Sequence, residues 1–492
     1  MCAISEKRTD RNAFDRAPST IARAPVIGAI VSAIFWLAGC ALASPGGATI
    51  TIDADQRFQT MAGWEVTPRL WELDKANDRY DPSWLAHSDQ IFDALVYDVG
   101  VNRVRIGVRS GMENPVDYWA RFVRGEIGYQ EFRARYYHTV NDNGDPLDTN
   151  RDGFQFSQLD YEMENVVLPM QRRLAARGER LYVNLCFVDF RNGEAGNLEH
   201  ALVAEEYAEL VLAAFLHLQE RYDLTPDAFE VILEPENTLH WRGERVGRGL
   251  RSVAARLSQH GFEPEFIAPS TTHAQNAPEY IDAMMRVPGV AEVVSTYSYH
   301  NYDNPSDSVR EEIWLRAEGA GVATAMLEHF PSDAAELYRD LTVANASAWQ
   351  QFGIAHVDTP ERDEQGAYLL LVDPSRRPGH QVRMAHRTGG LAQFFRSVRA
   401  GAVRIGALSD SARKKPAAFV NPDGRFVVVV VAEDGGPVVF QGLPEGAYEV
   451  SFAPDRGAPR ILGIVNVSSG GALEQRIPSP GVLAIRQQEA ER

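Results

Sequence analysis

Cysteine is nearly absent: three stand among 492 residues, at positions 2, 40 and 186, so no disulfide framework organises the chain. Positive charge is also scarce. The 49 Lys and Arg against 67 Asp and Glu give a net charge of −18, a field that repels nucleic acid and anionic polymers but is compatible with a local basic subsite. The one long uncharged apolar run, 24–39, is too short for a comfortable membrane span. No Gly-rich nucleotide turn follows the first strand-like run, which argues against a doubly wound open sheet. There is no His-x-His at that strand and no His-Glu-x-x-His anywhere, so no motif supports metal-dependent chemistry and no cofactor is expected. No tryptophan occurs beyond Trp349, which disfavours an independent sugar-binding module near the C-terminus.

With 45% apolar and 24% charged residues, the chain has ordinary globular composition and can bury a large core. Residues 1–23 are polar and basic, and the apolar run that follows reads as the centre of a secretory signal spanning 1–39. Its end, Leu37-Ala38-Gly39-Cys40, resembles a bacterial lipobox, in which the cysteine is lipidated and becomes the new N-terminus. Ala41 in the next position resembles outer-membrane sorting. The expectation is an exported lipoprotein whose membrane contact is its lipid anchor alone; an ordinary signal or membrane anchor ending in a chance cysteine is the alternative. Losing the leader removes two more positive than negative charges and takes the net charge to −20. With Cys40 acylated, Cys186 stands alone in an apolar strand, as a buried structural thiol.

Residues 40–47 form a small-residue linker, and beyond it apolar strand-like runs alternate with amphipathic stretches, the pattern of βα units around a parallel sheet. Eight strands are predicted, at 59–64, 103–108, 181–188, 229–234, 265–268, 292–298, 322–328 and 352–357, with helices at 201–221, 248–259, 277–286 and 333–350. The fold class is therefore α/β: a (β/α)8 barrel over 48–400. After Ala400 the pattern changes to short runs at 425–432, 437–441, 447–452 and 481–486 between Gly, Pro and Asp turns. Residues 401–490 thus read as an antiparallel β-sandwich whose role is packing.

In such a barrel the groups that do chemistry sit where strands end at the C-terminal face. Two predicted strands finish on glutamate: Leu233-Glu234-Pro235-Glu236-Asn237 and Met326-Leu327-Glu328-His329. As strands four and seven they would face each other across the mouth. A protonated carboxyl that donates to a leaving oxygen, paired with an ionised one that attacks an anomeric carbon, is what glycoside hydrolysis requires. Glu236, beyond the proline, is a rival acid on the loop. A rigid strand end positions a carboxyl better, which favours Glu234.

The sequence resembles glycoside hydrolase family 30, a retaining group of barrel glycosidases. Gly63-Trp64 is similar to part of the family's Gly-Phe-Gly opening, Val104-Arg105-Ile106-Gly107 to its second strand, and Tyr299-His300-Asn301-Tyr302 to its sixth-strand His-x-Tyr. The stretch 389–407 and Ala417-Ala418-Phe419-Val420-Asn421-Pro422-Asp423-Gly424 resemble its passage into the side β-domain. The resemblance covers most of the mature chain in order and implies Glu234 as general acid/base, Glu328 as nucleophile, and Arg105 holding Glu328 ionised. Leu233 departs from the asparagine the family carries before its acid/base, with Asn237 as a substitute from the loop.

The partner this implies is an oligo- or polysaccharide; no nucleic acid and no obligate protein partner is indicated. Trp64, Trp71, Trp241, His300 and Tyr302 stand in or after predicted strand ends, where rings stack on pyranose faces, with core packing the competing role and Trp241 the preferred platform. Asp148-Thr149-Asn150-Arg151-Asp152-Gly153 matches the front half of a calcium loop, but its twelfth position is Leu159. Unless Asp160 replaces the missing ligand, it is a plain Asx-rich loop. Two other classes remain open: a non-catalytic glycan-binding lipoprotein, which would lack one carboxylate, and a hydrolase of another family in the same clan, which would lack the C-terminal sandwich.

Overall fold

The structure, a computed structural model, describes residues 47–190 and 196–489. The leader, Cys40 and linker residues 40–46 lie outside the described residues. No described helix is long and apolar enough to cross a membrane.

Arg103–Arg109 shows how the sequence makes a barrel strand. Val104, Ile106 and Val108 alternate with Arg103, Arg105 and Arg109, so a period of two sends an apolar set to one face and a cationic set to the other. The apolar set joins the large core between strands and helices. The arginines point into the barrel. Eight parallel strands complete it: Gly63–Thr67, Arg103–Arg109, Tyr182–Val188, Ala228–Glu230, Glu265–Thr271, Val294–Tyr299, Ala323–Met326 and Ala346–Val357, with the seventh pairing to the eighth and the eighth to the first.

Three elements depart from the sequence reading. The first barrel strand is Gly63–Thr67 rather than 59–64, because Ala48–Thr60 belongs to the second sheet, pairing antiparallel with Val403–Ser409 and parallel with Gly436–Gln441. The segment 48–60 therefore joins the sheet of the C-terminal strands, while Gln59 near its end donates to the Leu341 and Ala346 carbonyls of the barrel. Helix Ala334–Thr342 stops well before residue 350. Residues 346–350, expected in that helix, open the eighth strand, whose first half fills the remaining slot between strands seven and one. Barrel closure overrides the helical preference of Ala346 and Ala348, and the eighth strand then runs on to pair with an added strand, Tyr368–Val372.

The second sheet holds nine strands, six of them from Val403–Ser409, Lys414–Val420, Phe426–Ala432, Gly446–Pro454, Arg460–Val467 and Gly481–Gln487. One face of strands from both ends of this ladder shares a core of its own, so the sheet folds over as a sandwich. The five valines of Phe426–Ala432 follow from burial on both faces: Val428 and Val430 enter the sandwich core while Val427, Val429 and Val431 join the barrel-side core with Phe394 and Phe395.

Behind the last strands, Asp340 gathers four donors. Its carboxylate accepts from Tyr299 (3.1 Å), Asn301 (2.9 Å), Arg310 (2.7 Å) and Trp349 (2.9 Å), tying strands six and eight to helices Asp307–Ala320 and Ala334–Thr342. Asp340 is fully buried and Arg310 nearly so. Removing one partner strands the other charge without water. Asp340→Ala should therefore lower unfolding free energy by about 3–5 kcal/mol in urea denaturation. A loss below about 1 kcal/mol, the net worth of one ordinary hydrogen bond, would contradict this role.

Candidate functional site

The C-terminal ends of the barrel strands surround a cavity of about 470 Å³ lined by Arg105, Glu234, Tyr302 and Glu328 among others. Ladder bonds persist past the formal ends of strands four and seven and fix both glutamates. Glu234 N–H donates to the Ser270 carbonyl at 3.0 Å, and Leu327 N–H to the Tyr299 carbonyl at 3.0 Å, followed by His329 N–H to Gln351 at 2.9 Å. Glu234 itself sits in the left-handed region, at φ 49° and ψ 62°, with Pro235 next. For a non-glycine residue this conformation costs on the order of 1–3 kcal/mol and persists only where the surroundings impose it.

Arg105 reaches across the barrel from strand two. Its guanidinium pairs with the Glu328 carboxylate, donates to the Leu327 carbonyl (3.0 Å) and the Thr67 hydroxyl (3.1 Å), and stands 3.7 Å from Glu230. Tyr302 donates to the second oxygen of Glu328 at 2.9 Å. Burial and the Glu328 charge push the Tyr302 phenol far above its usual range, so it stays a donor.

Glu234 lives in a different environment. Burial raises its carboxyl above the usual carboxylate value, opposed by the Asn237 amide, which donates at 2.8 Å, and by the Arg105 charge. His300 Nδ1 lies 3.0 Å from its other oxygen. Burial pulls that imidazole down to about 4, so it is neutral near pH 7 and either accepts from a protonated Glu234 or donates to an ionised one. One oxygen of Glu234, one of Glu328 and a nitrogen of His300 all lie within 4.8 Å of one another. The Arg105 guanidinium already answers Glu328, which disfavours a metal ion among these three.

Arg105, His300 and Tyr302 thus gather around the two glutamates, and Asn237 binds Glu234 while also donating to Thr272 at 3.0 Å. Glu236 turns away: it accepts from His273 N–H (3.1 Å) and the Asn276 amide (3.4 Å), joining the loops after strands four and five. Leu233 lines the cavity wall.

The tryptophans do not fill the platform role. Trp64 is 0% exposed, stacked on Phe395 at 4.6 Å between ring centroids, with its indole N–H on the Val398 carbonyl at 2.6 Å. Trp241 is 1% exposed and packs edge-on against Tyr207 and Phe187. Trp71 is also buried, donating to Ser83 at 2.8 Å. Strand parity is the reason for Trp64: its neighbour Glu65 points into the barrel, so Trp64 points out toward the helices. Cys186 is buried on the cavity floor, where burial and Glu230 hold its thiol far above its usual range.

Sequence reasoning missed the polar column beneath the pair. Glu65 binds Arg103 (3.0 Å), Asn184 donates to Glu230 (2.9 Å) and reaches Glu65 (3.4 Å), and Glu230 faces Arg105. Their signal was present as charged residues at alternate positions of apolar strands. Arg69, Arg109 and Arg133 also line the cavity, Arg109 paired with Glu162 at 2.9 Å, and supply a local basic lining in an acidic protein.

No family model and no curated protein matches the chain. Solved structures share its fold. The catalytic domain of a family 30 glycoside hydrolase, xylanase C of Talaromyces cellulolyticus, superposes with TM-score 0.61 at 13% identity, covering 90% of this chain and all of that one. An endo-β1,6-glucanase gives 0.60 at 14%, covering 90% and 95%. A conserved exported protein from Bacteroides fragilis gives 0.62 at 12%, covering 89% and 100%. The chain therefore shares its fold with a family 30 xylanase and with these two further structures.

The Asn237 amide is the donor that counters burial at Glu234. Asn237→Ala should raise the Glu234 carboxyl pKa further, read by pH titration of 13C-labelled glutamate; an unchanged or lowered value would remove Asn237 from this role.

Proposed function

We propose that the chain is a retaining glycoside hydrolase of the family 30 type, cleaving β-linked glycans by double displacement. One observation carries the reading: two carboxyl groups end facing barrel strands with oxygens within 4.8 Å, one bound by a buried guanidinium and the other pushed toward its protonated form by burial. Retaining enzymes need carboxyls about 5–5.5 Å apart, whereas inverting ones need roughly 6.5–9.5 Å to admit a water.

Glu328, paired with Arg105 and oriented by Tyr302, attacks the anomeric carbon. The bond to the leaving oxygen breaks as Glu234 passes its proton to that oxygen, leaving a glycosyl ester on Glu328. Glu234, now ionised and accepting from Asn237 and His300, takes a proton from water, and the hydroxide oxygen displaces Glu328. The xylanase and β1,6-glucanase among the structural neighbours support a β-linked glycan as the substrate class. The same reading makes residues 48–400 the catalytic portion and 401–490 the side domain, with Ala48–Thr60 supplying a strand to the latter. It also makes the chain an exported lipoprotein anchored through Cys40, supported by the Leu37-Ala38-Gly39-Cys40 ending and by an exported protein among the neighbours.

A panel of β-glycans and aryl β-glycosides, with neutral and uronic-acid-bearing members, tests the proposal. Glu328→Gln should abolish turnover while binding survives. Glu234→Gln should stop cleavage of glycans yet retain activity on aryl glycosides whose leaving group needs no proton. If both variants hydrolyse glycan like the unaltered protein, the assignment falls. Arg105→Lys keeps the charge but loses the fork that joins Glu328, Leu327 and Thr67. It should lower kcat roughly 10²-fold, the usual loss when one preorganised donor is removed. Full activity in that variant would contradict the role given to Arg105.

A further inference from the structure

Three carboxylates meet away from the cavity, with a fourth beside them, where the long loop after strand two crosses helix Ala204–Tyr222. Glu113 follows that strand's end, Asp142 lies farther along the loop, and Glu206 and Glu209 are on the first turns of the helix. One oxygen each from Glu113, Asp142 and Glu206 lies within 4.8 Å of the others. Glu113 is 0% and Glu206 6% exposed.

Glu209 makes this more than a cluster of acids. Its side chain is 1% exposed, and neither carboxylate oxygen has a hydrogen-bond partner of ordinary geometry. It adjoins the Glu206 and Asp142 carboxyls and the Thr149 hydroxyl. The other three acids each keep one oxygen unpartnered as well. Glu113 Oε1 is unpaired while Oε2 meets His200 Nε2 at 2.6 Å; Asp142 Oδ1 is unpaired while Oδ2 accepts from Asn150 N–H at 2.6 Å; Glu206 Oε2 is unpaired while Oε1 accepts from Asn141 at 3.2 Å. Among the described residues, His200 is the one basic side chain that pairs with any of the four. A buried carboxylate left without a partner is costly, and here the unpaired oxygens come from four acids at one place.

We infer that Glu113, Asp142, Glu206 and Glu209 bind a calcium ion. Hard carboxylate oxygens and no nitrogen or sulfur donor suit calcium or magnesium rather than a transition metal. Oxygens on opposite sides of a calcium ion stand about 4.6–5.2 Å apart at its usual bond lengths, so three oxygens within 4.8 Å of one another are close enough to share one, and a cage of several carboxylates suits calcium better than magnesium, which keeps several of its waters.

The calcium-like segment 148–153 is not this site, though it borders it. Leu159, at its twelfth position, is in the core, and Asp160 accepts from His217 (2.6 Å) and Tyr222 (2.8 Å). Asn150 instead donates its N–H to Asp142, so the segment orients a ligand from outside. The ion ties the 113–142 stretch to the helix. That stretch carries Arg133 and Tyr137 to the cavity wall, so calcium braces one side of the candidate active site.

The test uses the full chain, stripped with chelator and then titrated with calcium by calorimetry. About one equivalent should bind, Tm should rise by about 5 °C or more at saturation, and terbium should give sensitised luminescence that calcium displaces. Asp142→Asn and Glu209→Gln should each cut affinity at least tenfold. If the acids instead share protons, Tm will be the same in chelator and in calcium and no terbium signal will develop, which overturns the inference without recourse to any variant. Equal calcium-induced shifts in the unaltered chain and both variants overturn it too.

Discussion

A guanidinium sealed inside a barrel must be answered by carboxylates, and the buried Arg105 sets that condition for everything around it. A charge of this kind costs several kcal/mol in desolvation unless its donors are all met. Glu328, the Leu327 carbonyl and Thr67 meet them, with Glu230 behind. Glu328 is thereby locked at one address on the end of strand seven, and Tyr302 closes on its other oxygen. The strands on either side of strand seven, six and eight, are in turn tied to helix Asp307–Ala320 by Asp340, which accepts from Tyr299, Asn301, Trp349 and Arg310.

The contrast between the two mouth carboxyls follows from which of them the arginine serves. Glu328 shares a direct ion pair; Glu234 has only an amide, a neutral imidazole and distant charge to offset its burial. Burial thus raises the Glu234 carboxyl above the usual carboxylate value while Glu328 is tied to a guanidinium, an asymmetry of the kind acid–nucleophile chemistry requires. The strained backbone at Glu234 belongs to the same arrangement. Its left-handed turn before Pro235 lets Asn237 fold back onto the carboxyl.

Much of the barrel could be read from apolar runs alone, because strands covered by helices need continuous or alternating apolar residues and little else. Both mouth glutamates were legible for the same reason: each ends such a run. Trp64 and Trp241 were misread because proximity to a strand end says nothing of which side a ring takes, and for Trp64 one residue of parity decides between cavity and core. Glu65 and Glu230 went unnoticed because an acid in the middle of an apolar strand has no local partner; its partners come from other strands. The first half of the eighth strand hid in a helical pattern because its slot exists only once seven strands have closed around it. Glu113, Asp142, Glu206 and Glu209 come from two separated stretches of chain with no ligand-like spacing, whereas the segment that did have that spacing lacks its last ligand. Sequence spacing reports sites built within one loop, and this molecule builds its sites between elements.

In the proposed mechanism Glu328, paired with Arg105, forms a covalent bond to the sugar. Incubating the protein with activated 2-deoxy-2-fluoro β-glycosides, whose glycosyl-enzyme esters hydrolyse slowly, and mapping the label by peptide mass spectrometry tests it directly. The account predicts one added glycosyl group per chain, on the peptide and residue Glu328. A label on another carboxyl, or turnover of an accepted glycoside with inverted configuration and no ester, would contradict it.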